Sequence, residues 1–263
     1  MKEFLLRYQR QITLEAFGMS AQEKLKNAKV LVIGAGGLGC PALQYLVAAG
    51  VGYIGIADND TVQLSNLNRQ ILFGQNDLGK KKALVAKEKL LQLNDTVQIE
   101  IFDTRWKQEQ CIQHFPDYDI IIDASDNFAT RYLINDACVL MHKPLVFGAV
   151  SKMEGQVAVF NNRKEACNYR DVFPIPPSNK EVLNCAEGGV LGVLPGMIGV
   201  MQATEAIKII TGIGQPLTNQ LLSYNALSQQ FYTIQIVKHP QAVLHMPANL
   251  DTFLITHYED LCQ

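Results

Sequence analysis

The sequence predicts an α/β fold, with a doubly wound and mostly parallel sheet and a mixed, antiparallel C-terminal extension. Three observations predict it. Short runs of β-branched residues alternate with helical segments over the first 150 residues, which is the order of βαβ units. A glycine-rich loop follows the first of these runs and leads into a helix. After residue 150 the strand pattern changes to the alternation typical of antiparallel strands.

The expected elements follow one another in a regular order. An amphipathic helical arm over residues 1–26 precedes the first strand. Strands buried on both faces are expected at 30–33, 53–57, 97–102, 119–123 and 145–147, with helices between them at 38–49, 80–93, 107–114 and 129–141. A strand at 155–161, a loop at 162–184, a helix ending near 210 and strands at 220–224 and 230–237 follow. We expect one domain over residues 1–237 and a tail over 238–263 that wraps the surface.

Composition and charge exclude several classes of protein. The 263 residues are 48% hydrophobic and 18% charged, which is typical of a chain with a substantial core and excludes wholesale disorder. The formal net charge of −2 argues against a dedicated nucleic-acid or membrane-surface binder. The six cysteines form no C-x-x-C pair, and the charged N-terminus lacks the apolar stretch of a signal peptide. We expect a soluble cytoplasmic protein with reduced thiols.

The glycine loop predicts a nucleotide site. Residues 34–39 read GAGGLG and satisfy G-x-G-x-x-G between the first strand and a helix. Asp58 ends the second strand, where a carboxylate that binds ribose is expected. Small residues let the backbone approach a phosphate, and the helix N-terminus offers free N–H groups to it. The loop alone leaves open which nucleotide binds, and NAD is the default interpretation.

Polar and basic residues beyond the loop favour a triphosphate over NAD. Asp58-Asn59-Asp60 is followed by SNLNRQ at 65–70 and by three lysines at 80–82. A dinucleotide needs no such cluster of Arg and Lys, whereas departing pyrophosphate requires its charge to be neutralised. For Lys80 and Lys81, a solvated helix face is the expected location.

A third group of polar residues, Ser125-Asp126-Asn127, follows the strand expected at 119–123. The carboxyl ends of parallel strands face one crevice, so Asp126 is a candidate to hold magnesium against phosphates. Asp126 and Asn127 are alternatively good N-terminal caps for the helix that follows. Together with the glycine loop and the basic residues, the metal role is favoured.

Taken together, these motifs resemble the ThiF/MoeB/HesA family. Its members are bacterial relatives of ubiquitin-activating enzymes, and they adenylate the C-terminal glycine of ubiquitin-like sulfur carriers. The resemblance covers about residues 4–237, and it rests on motifs that occur in the family's order. They are RYQRQ at 7–11, GAGGLGC at 34–40, DND at 58–60, SNLNRQ at 65–70, Lys82, SDN at 125–127, MEGQV at 153–157, NCAEGGVLG at 184–192 and GMIGVMQATEAIKII at 196–210.

The resemblance implies roles for particular residues. The implied nucleotide-binding residues are Gly36, Gly37, Asp58, Asp60, Ser65, Asn66, Leu67, Asn68, Arg69, Lys82, Asp126 and Asn127. Among them, Lys82 is expected to contact phosphates and Asp126 to carry magnesium. Arg10 matches an arginine that reaches into the partner subunit's nucleotide site, which implies a homodimer. Cys185 matches a position proposed to form a thioester or acyl disulfide with the carrier, although a bystander cysteine is an equal alternative.

Two departures from the family bear on metals and partners. Many relatives hold zinc with two C-x-x-C pairs, but here the first pair is replaced by Cys167-Asn168-Tyr169-Arg170 and no C-terminal pair follows. A tetrahedral zinc site needs four ligands, so we expect no zinc. No rhodanese-like segment follows before Gln263, so the sulfur donor is expected to be a separate protein.

The leading interpretation is therefore an ATP- and Mg²⁺-dependent adenylyltransferase for a sulfur carrier that ends in Gly-Gly, in molybdopterin or thiamine type sulfur transfer. An NAD-dependent oxidoreductase is the alternative. It explains Gly34 to Gly39 and Asp58, but it leaves Arg10, Arg69, Lys82 and Asp126 without a role. A non-catalytic scaffold that binds the carrier is a third interpretation, and it would be expected to have lost the phosphate-binding cations or the acid.

Overall fold

The structure, a computed structural model, describes residues 2–177 and 188–259. Its elements in chain order are α1 (Lys2–Ile12), α2 (Gly18–Asn27), β1 (Lys29–Ile33), α3 (Gly39–Ala49), β2 (Tyr53–Ala57), α4 (Lys82–Leu93), β3 (Gln98–Phe102), α5 (Gln108–His114), β4 (Ile120–Asp123), α6 (Phe128–Leu140), β5 (Leu145–Ser151), β6 (Glu154–Phe160), α7 (Tyr169–Val172), α8 (Val193–Thr211), β7 (Gln220–Asn225), β8 (Gln230–Gln235) and α9 (Leu250–Leu254). Short 3₁₀ turns lie at Leu64–Asn66, Gln75–Asp77 and Phe115–Asp117.

The described strands form one eight-stranded sheet in the order β3-β2-β1-β4-β5-β6-β7-β8. The pairs β3–β2, β2–β1, β1–β4 and β4–β5 are parallel, and β5–β6, β6–β7 and β7–β8 are antiparallel. The predicted fold class is therefore confirmed. The strand order reverses between β1 and β4, and in open α/β sheets the crevice at such a point binds ligands.

Two apolar cores cover the two faces of the sheet. One core contains side chains of α2, α3, α4 and α8, and the other contains side chains of α5, α6 and the C-terminal tail. Alternate residues of one strand enter different cores: Val30 and Val32 of β1 lie in the first core, and Leu31 and Ile33 lie in the second. Burial on both faces explains why the parallel strands read as continuous apolar runs.

The expected helical arm over residues 1–26 is two helices rather than one. The chain turns between Ile12 and Gly18, where Gly18 adopts a φ of +61° in the left-handed region. The turn lets both helices pack on the end of α3. Tyr8 of α1 is buried over Gly50, where an added Cβ would lie 2.6 Å from the tyrosine ring. An apolar periodicity alone does not reveal such a reversal.

Helix α8 passes the length and composition test for a membrane span, having a mean hydropathy of 1.3 over its window. It nevertheless packs against α3 and the strands β5 and β6. Leu194, Ile198 and Gln202 are buried on that side, and Gln202 Nε2 donates to the Asp123 carbonyl at 2.6 Å. The helix thus packs in the core of the described fold, and its apolar composition is weak evidence for a membrane span.

The tail is anchored in the second core by a buried polar cluster. The Arg170 guanidinium donates to both carboxylate oxygens of Asp136 at 2.8 Å, and the Tyr258 hydroxyl donates to Asp136 Oδ2 at 2.8 Å. Arg170 also lies over the Tyr132 ring at 4.6 Å. Burial and the neighbouring Asp136 carboxylate raise the pKa of Tyr258, so its hydroxyl stays protonated. The cluster joins α6, α7 and the tail.

We expect Arg170→Met to lower the free energy of unfolding by about 3–5 kcal/mol, because it leaves the Asp136 carboxylate buried without its cation. Tyr258→Phe removes one hydrogen bond and should cost about 1–3 kcal/mol. Urea denaturation followed by circular dichroism measures both changes. Arg163→Met, at an exposed arginine, is the matched control. If Arg170→Met unfolds at the wild-type urea concentration, the cluster does not anchor this part of the fold.

Candidate active site

A cavity of about 630 Å³ opens at the carboxyl ends of β1, β2 and β4. Nine of the residues expected to bind nucleotide lie in its wall: Gly36, Gly37, Asp58, Asp60, Asn68, Arg69, Lys82, Asp126 and Asn127. The tertiary structure thus joins segments that are far apart in the chain. Ser65, Asn66 and Leu67 are absent from the lining, and their roles stay predictions.

Backbone contacts shape the glycine loop. Gly34 has a φ of +101°, and a Cβ there would lie 2.6 Å from the Ala124 carbonyl oxygen. A Cβ at Gly39 would lie 1.8 Å from the Gly34 carbonyl oxygen. Both positions therefore require glycine for packing. Gly36 differs, because the nearest atom to an added Cβ is Gln70 Nε2 at 3.7 Å, so its missing side chain leaves open space in the cavity.

The Asp58 carboxylate holds the loop in place. Its Oδ2 accepts from Ala35 N at 2.8 Å and its Oδ1 accepts from Asp60 N at 2.9 Å. Burial raises the pKa of Asp58, while the nearby Lys82 ammonium and the two N–H donors oppose that rise. A carboxylate at the end of the second strand also suits a ribose hydroxyl. Asp58 thus supports the loop in addition to any contact with the nucleotide.

Two cations enter the cavity from the segments after β2. Lys82 is 5% exposed, and its ammonium contacts Asp60 Oδ2 at 2.9 Å. Arg69 donates to the Ser65 carbonyl at 2.9 Å and to Asn68 Oδ1 at 3.1 Å. Lys80 and Lys81 are exposed and pair with Asp77 and Asp103, as expected for a solvated face.

The two residues of the Asp126-Asn127 pair have different surroundings. Asn127 Oδ1 accepts from Thr130 N at 2.9 Å, and so Asn127 caps α6. Asp126 is exposed in the cavity wall and forms no hydrogen bond or ion pair with the described part of the chain. The capping interpretation therefore holds for Asn127, and the Asp126 carboxylate is available to a ligand.

The site fits a magnesium ion that arrives with a polyphosphate. No group of three or more His, Cys, Asp or Glu in residues 2–177 and 188–259 could hold a metal by itself. Mg²⁺ is commonly held by one or two carboxylates together with substrate phosphates. Asp126 is such a carboxylate, and it lies in the same cavity wall as Gly36 and Lys82.

Arg10 lies far from its own chain's cavity. Gln11, its neighbour, donates to the Ala49 carbonyl at the C-terminal end of α3. Helix α3 begins at the glycine loop and has 11 residues, so its two ends are separated by about 16 Å. Arg10 is exposed and forms no ion pair with Glu15 or another acid of the described chain. An arginine there is free to contact another molecule.

The structure does not describe Cys185, which lies outside residues 2–177 and 188–259. Cys167 is buried in the second core, and burial raises the pKa of its thiol. Cys40 is fully buried at the start of α3, and burial raises the pKa of its thiol to about 12. Neither buried thiol is suited to act as a nucleophile.

Among the lining residues that the sequence reasoning did not assign to the site are Gln70, Trp106 and Arg131. Each is buried and has a side-chain atom without a hydrogen-bond partner in residues 2–177 and 188–259, namely Gln70 Oε1, Trp106 Nε1 and Arg131 Nε. Buried polar atoms are normally satisfied, so three unsatisfied atoms on residues that line one cavity mark this wall as unusual for a purely structural part of the fold. Gln70 ends the SNLNRQ motif, whereas no local pattern singles out Trp106 or Arg131.

Comparison with known protein sequences gives extensive matches. The sequence model of the ThiF family matches residues 8–244. A "Sulfur carrier protein adenylyltransferase" of Thermus thermophilus is 49% identical over 245 residues, which are 91% of this chain and 90% of that protein. "Adenylyltransferase and sulfurtransferase MOCS3" of Drosophila persimilis is 46% identical over 98% of this chain and 57% of its own length. The chain thus spans little more than half of that relative.

Solved structures show the same fold. Escherichia coli MccB with succinimide superposes with a TM-score of 0.78 at 24% identity, covering 89% of this chain and 72% of MccB. The structure titled "MccB + ATP" gives a TM-score of 0.76 at 22% identity, with the same coverage. At this level of identity the comparison concerns the fold alone.

We expect Gly36→Ala to leave the fold intact and to weaken binding of ATP–Mg²⁺ by about tenfold, the equivalent of about 1.4 kcal/mol. The added methyl group would occupy the space that a phosphate needs beside the loop. Isothermal titration calorimetry measures affinity, and thermal unfolding measures stability. Gly74→Ala is the matched control, since Gly74 lies outside the cavity wall and its nearest neighbour to an added Cβ is 3.8 Å away. Unchanged affinity in Gly36→Ala would exclude the loop from the nucleotide site.

Proposed function

The chain belongs to the ThiF family, and on that basis we propose that it is an ATP-dependent adenylyltransferase acting on a ubiquitin-like sulfur carrier. The substrate group is the C-terminal glycine carboxylate of a carrier that ends in Gly-Gly. Relatives named as sulfur carrier protein adenylyltransferase, MoeZ and MOCS3 support this substrate class. Molybdopterin or thiamine type sulfur transfer is the expected setting, in the cytoplasm.

One observation carries the proposal: the cavity brings the glycine loop together with Arg69, Lys82 and Asp126. The loop follows β1, the two cations follow β2, and the carboxylate follows β4. Adjacent parallel strands therefore present N–H donors, positive charge and a metal-binding oxygen to one volume. This combination suits a nucleoside triphosphate with its metal better than it suits NAD, whose two phosphates need no such cations. It also argues against a non-catalytic scaffold.

The reaction is an in-line displacement at the α-phosphorus of ATP. A carboxylate oxygen of the carrier's terminal glycine forms a bond to phosphorus, and the bond to the departing pyrophosphate breaks. The products are an acyl-adenylate and pyrophosphate. Such a step requires orientation and charge neutralisation more than a protein nucleophile.

Each lining residue has a proposed task in that step. The N–H groups of the glycine loop face the α-phosphate, and the Asp58 carboxylate contacts the ribose. Lys82 exchanges its Asp60 partner for phosphate oxygens, and Arg69 neutralises charge beside it. When bound at Asp126, Mg²⁺ would neutralise phosphate charge.

A homodimer with a composite site completes the proposal. Arg10 lies at the end of α3 remote from its own cavity, and so it would act in the cavity of the partner subunit. Cys185 is a candidate for a later covalent step with the carrier. The sulfur donor would be a separate protein, and we expect purified protein to lack stoichiometric zinc.

The direct test is pyrophosphate exchange with purified carriers that end in Gly-Gly. We expect exchange that requires ATP, Mg²⁺ and the carrier. A carrier without its last glycine is the control, because it keeps the folded surface and changes the carboxylate position. Stabilisation by NAD instead of ATP–Mg²⁺ in a thermal shift assay, with no exchange, would support the oxidoreductase.

We expect Asp126→Ala to abolish pyrophosphate exchange and to leave thermal unfolding unchanged. The carboxylate is exposed and has no hydrogen bond or ion pair with the described chain, so its loss removes no internal contact. Asp251→Ala, at an exposed acid of the tail, serves as the control. Wild-type exchange in Asp126→Ala would contradict the metal role of this residue.

Arg10→Ala and Asp126→Ala proteins should each be inactive and should regain activity when co-assembled. In a mixed dimer, one of the two sites has both groups intact. A well-placed charged donor commonly contributes about a hundredfold to a rate, whereas an exposed ion pair contributes about 1 kcal/mol to stability at most. Exchange is measured on purified heterodimers, with each variant remixed with itself as the control. Inactive heterodimers would argue against a composite site, and an active Arg10→Ala protein would leave this arginine without a catalytic role.

A further inference from the structure

The position of the Asp126 carboxylate depends on the backbone that carries it. Asp126 belongs to the short segment 124–127 between β4 and α6, referred to here as the acid loop. The side chain has no hydrogen bond or ion pair with the described chain, so no direct contact orients it. Whatever holds the acid loop therefore determines where the carboxylate meets a metal.

Buried groups hold the acid loop on both sides of the Ser125 peptide unit. Asp123 Oδ1 accepts from Ser125 N at 2.9 Å and from Ser125 Oγ at 2.6 Å. The Arg131 Nη2 group donates to the Ser125 carbonyl oxygen at 3.3 Å. That carbonyl belongs to the peptide bond that joins Ser125 to Asp126. The Arg131 guanidinium therefore contacts the peptide group that leads directly into Asp126.

Arg131 is placed as a buried support. It is 7% exposed, and its guanidinium lies over the rings of Phe128 at 5.4 Å and Phe147 at 5.7 Å. Its positive charge faces the buried Asp123 and opposes the rise in that residue's pKa that burial causes. The two rings pack against the guanidinium, and its charge stabilises the carboxylate that accepts from the Ser125 N–H.

The Nε of Arg131 has no protein partner in the described chain, and Arg131 lines the cavity. Burying a cation costs free energy unless charge or hydrogen bonds compensate. A buried arginine without full compensation is better explained by a role in the site than by a contribution to the stability of the fold. Because the residue lines the cavity, direct contact of its guanidinium with the nucleotide is the alternative role, and separate measurements of metal and nucleotide binding distinguish the two.

We propose that Arg131 is a positioning residue for metal binding at Asp126. Its guanidinium holds the Ser125 carbonyl, and its charge favours the ionised Asp123 carboxylate that accepts from the Ser125 N–H, so that the next residue presents its carboxylate to the phosphates. The inference rests on the proposed function. Residues that orient a metal ligand from behind commonly change metal affinity by 10–100-fold when replaced.

The experiment measures metal and nucleotide separately. Binding of Mn²⁺ in the presence of a non-hydrolysable ATP analogue is followed by electron paramagnetic resonance of free Mn²⁺. Binding of the same analogue in EDTA, without metal, is followed by calorimetry. For Arg131→Met we expect Mn²⁺ affinity to fall by roughly tenfold or more, with metal-free nucleotide affinity unchanged. Arg163→Met is the exposed control and should match the wild type in both assays.

Two results would overturn the inference. Equal loss of metal-free nucleotide affinity in Arg131→Met would assign Arg131 to direct nucleotide contact. Unchanged Mn²⁺ affinity would exclude Arg131 from the support of Asp126. Arg131→Lys, which keeps the charge facing Asp123 but not the planar fork, should recover part of the Mn²⁺ affinity. A folded Arg131→Lys protein that recovers nothing, combined with lowered Mn²⁺ affinity in Ser125→Ala, would assign the positioning to the planar fork rather than to the charge.

If Arg131→Met does not fold, Ser125→Ala decides the matter. It removes only the Oγ bond to Asp123 and keeps the backbone bond, so a smaller loss of Mn²⁺ affinity is expected. No change in a folded Ser125→Ala protein would count against the buried support. Failure of the proposed function is distinguishable, because then the wild type itself would show no metal-dependent binding of the ATP analogue.

Discussion

The close approach of the glycine loop to the end of β4 is the constraint on which the site depends. An added Cβ at Gly34 would meet the Ala124 carbonyl, and one at Gly39 would meet the Gly34 carbonyl. Absence of side chains thus lets α3 begin directly beside the acid loop. The N–H donors of one segment and the carboxylate of the other, Asp126, consequently border the same cavity. A larger residue at Gly34 or Gly39 would separate them.

The electrostatics of the site follow from this geometry. The two carboxylates that support the backbone, half-buried Asp58 and buried Asp123, accept N–H bonds, while Asp126 remains exposed. Of these three acids at the ends of β2 and β4, two therefore support the backbone and one is open to a ligand. The cation Lys82 is held by Asp60 in the absence of ligand, so its charge is already placed inside the cavity. Preorganised charge of this kind reduces the rearrangement that binding requires.

Helix α7 and the tail are joined to α6 by a different kind of interaction. The Asp136 carboxylate of α6 is buried against Arg170 of α7 and Tyr258 of the tail. By the resemblance, Arg170 occupies the position of the second cysteine in a C-x-x-C pair that binds zinc in many relatives. A buried ion pair with a tyrosine donor thus tightens the region where the chain leaves α7. Because α6 also carries Arg131, the same helix supports both the anchor of the tail and the acid loop.

The sequence alone determined the order of the helices and strands and the polar groups that follow the strands. Continuous apolar runs predicted buried parallel strands, and glycine spacing with Asp58 predicted a phosphate-binding loop, because these patterns follow from local geometry. The motif resemblance predicted Arg69, Lys82 and Asp126 as lining residues, and they lie in the cavity wall. Such residues are recognisable because each belongs to a short motif.

Features that depend on packing between distant segments were decided only by the tertiary structure. The reversal at Gly18 arises because two helices share the end of α3, and no periodicity reports that contact. Trp106 enters the cavity wall from the segment after β3, and Arg131 enters it from helix α6. The buried polar atom that each leaves without a partner in the described chain is a property of the folded state. The separation of Arg10 from its own cavity is likewise a property of the fold. Local spacing predicts what a segment can do, and packing decides which segments meet.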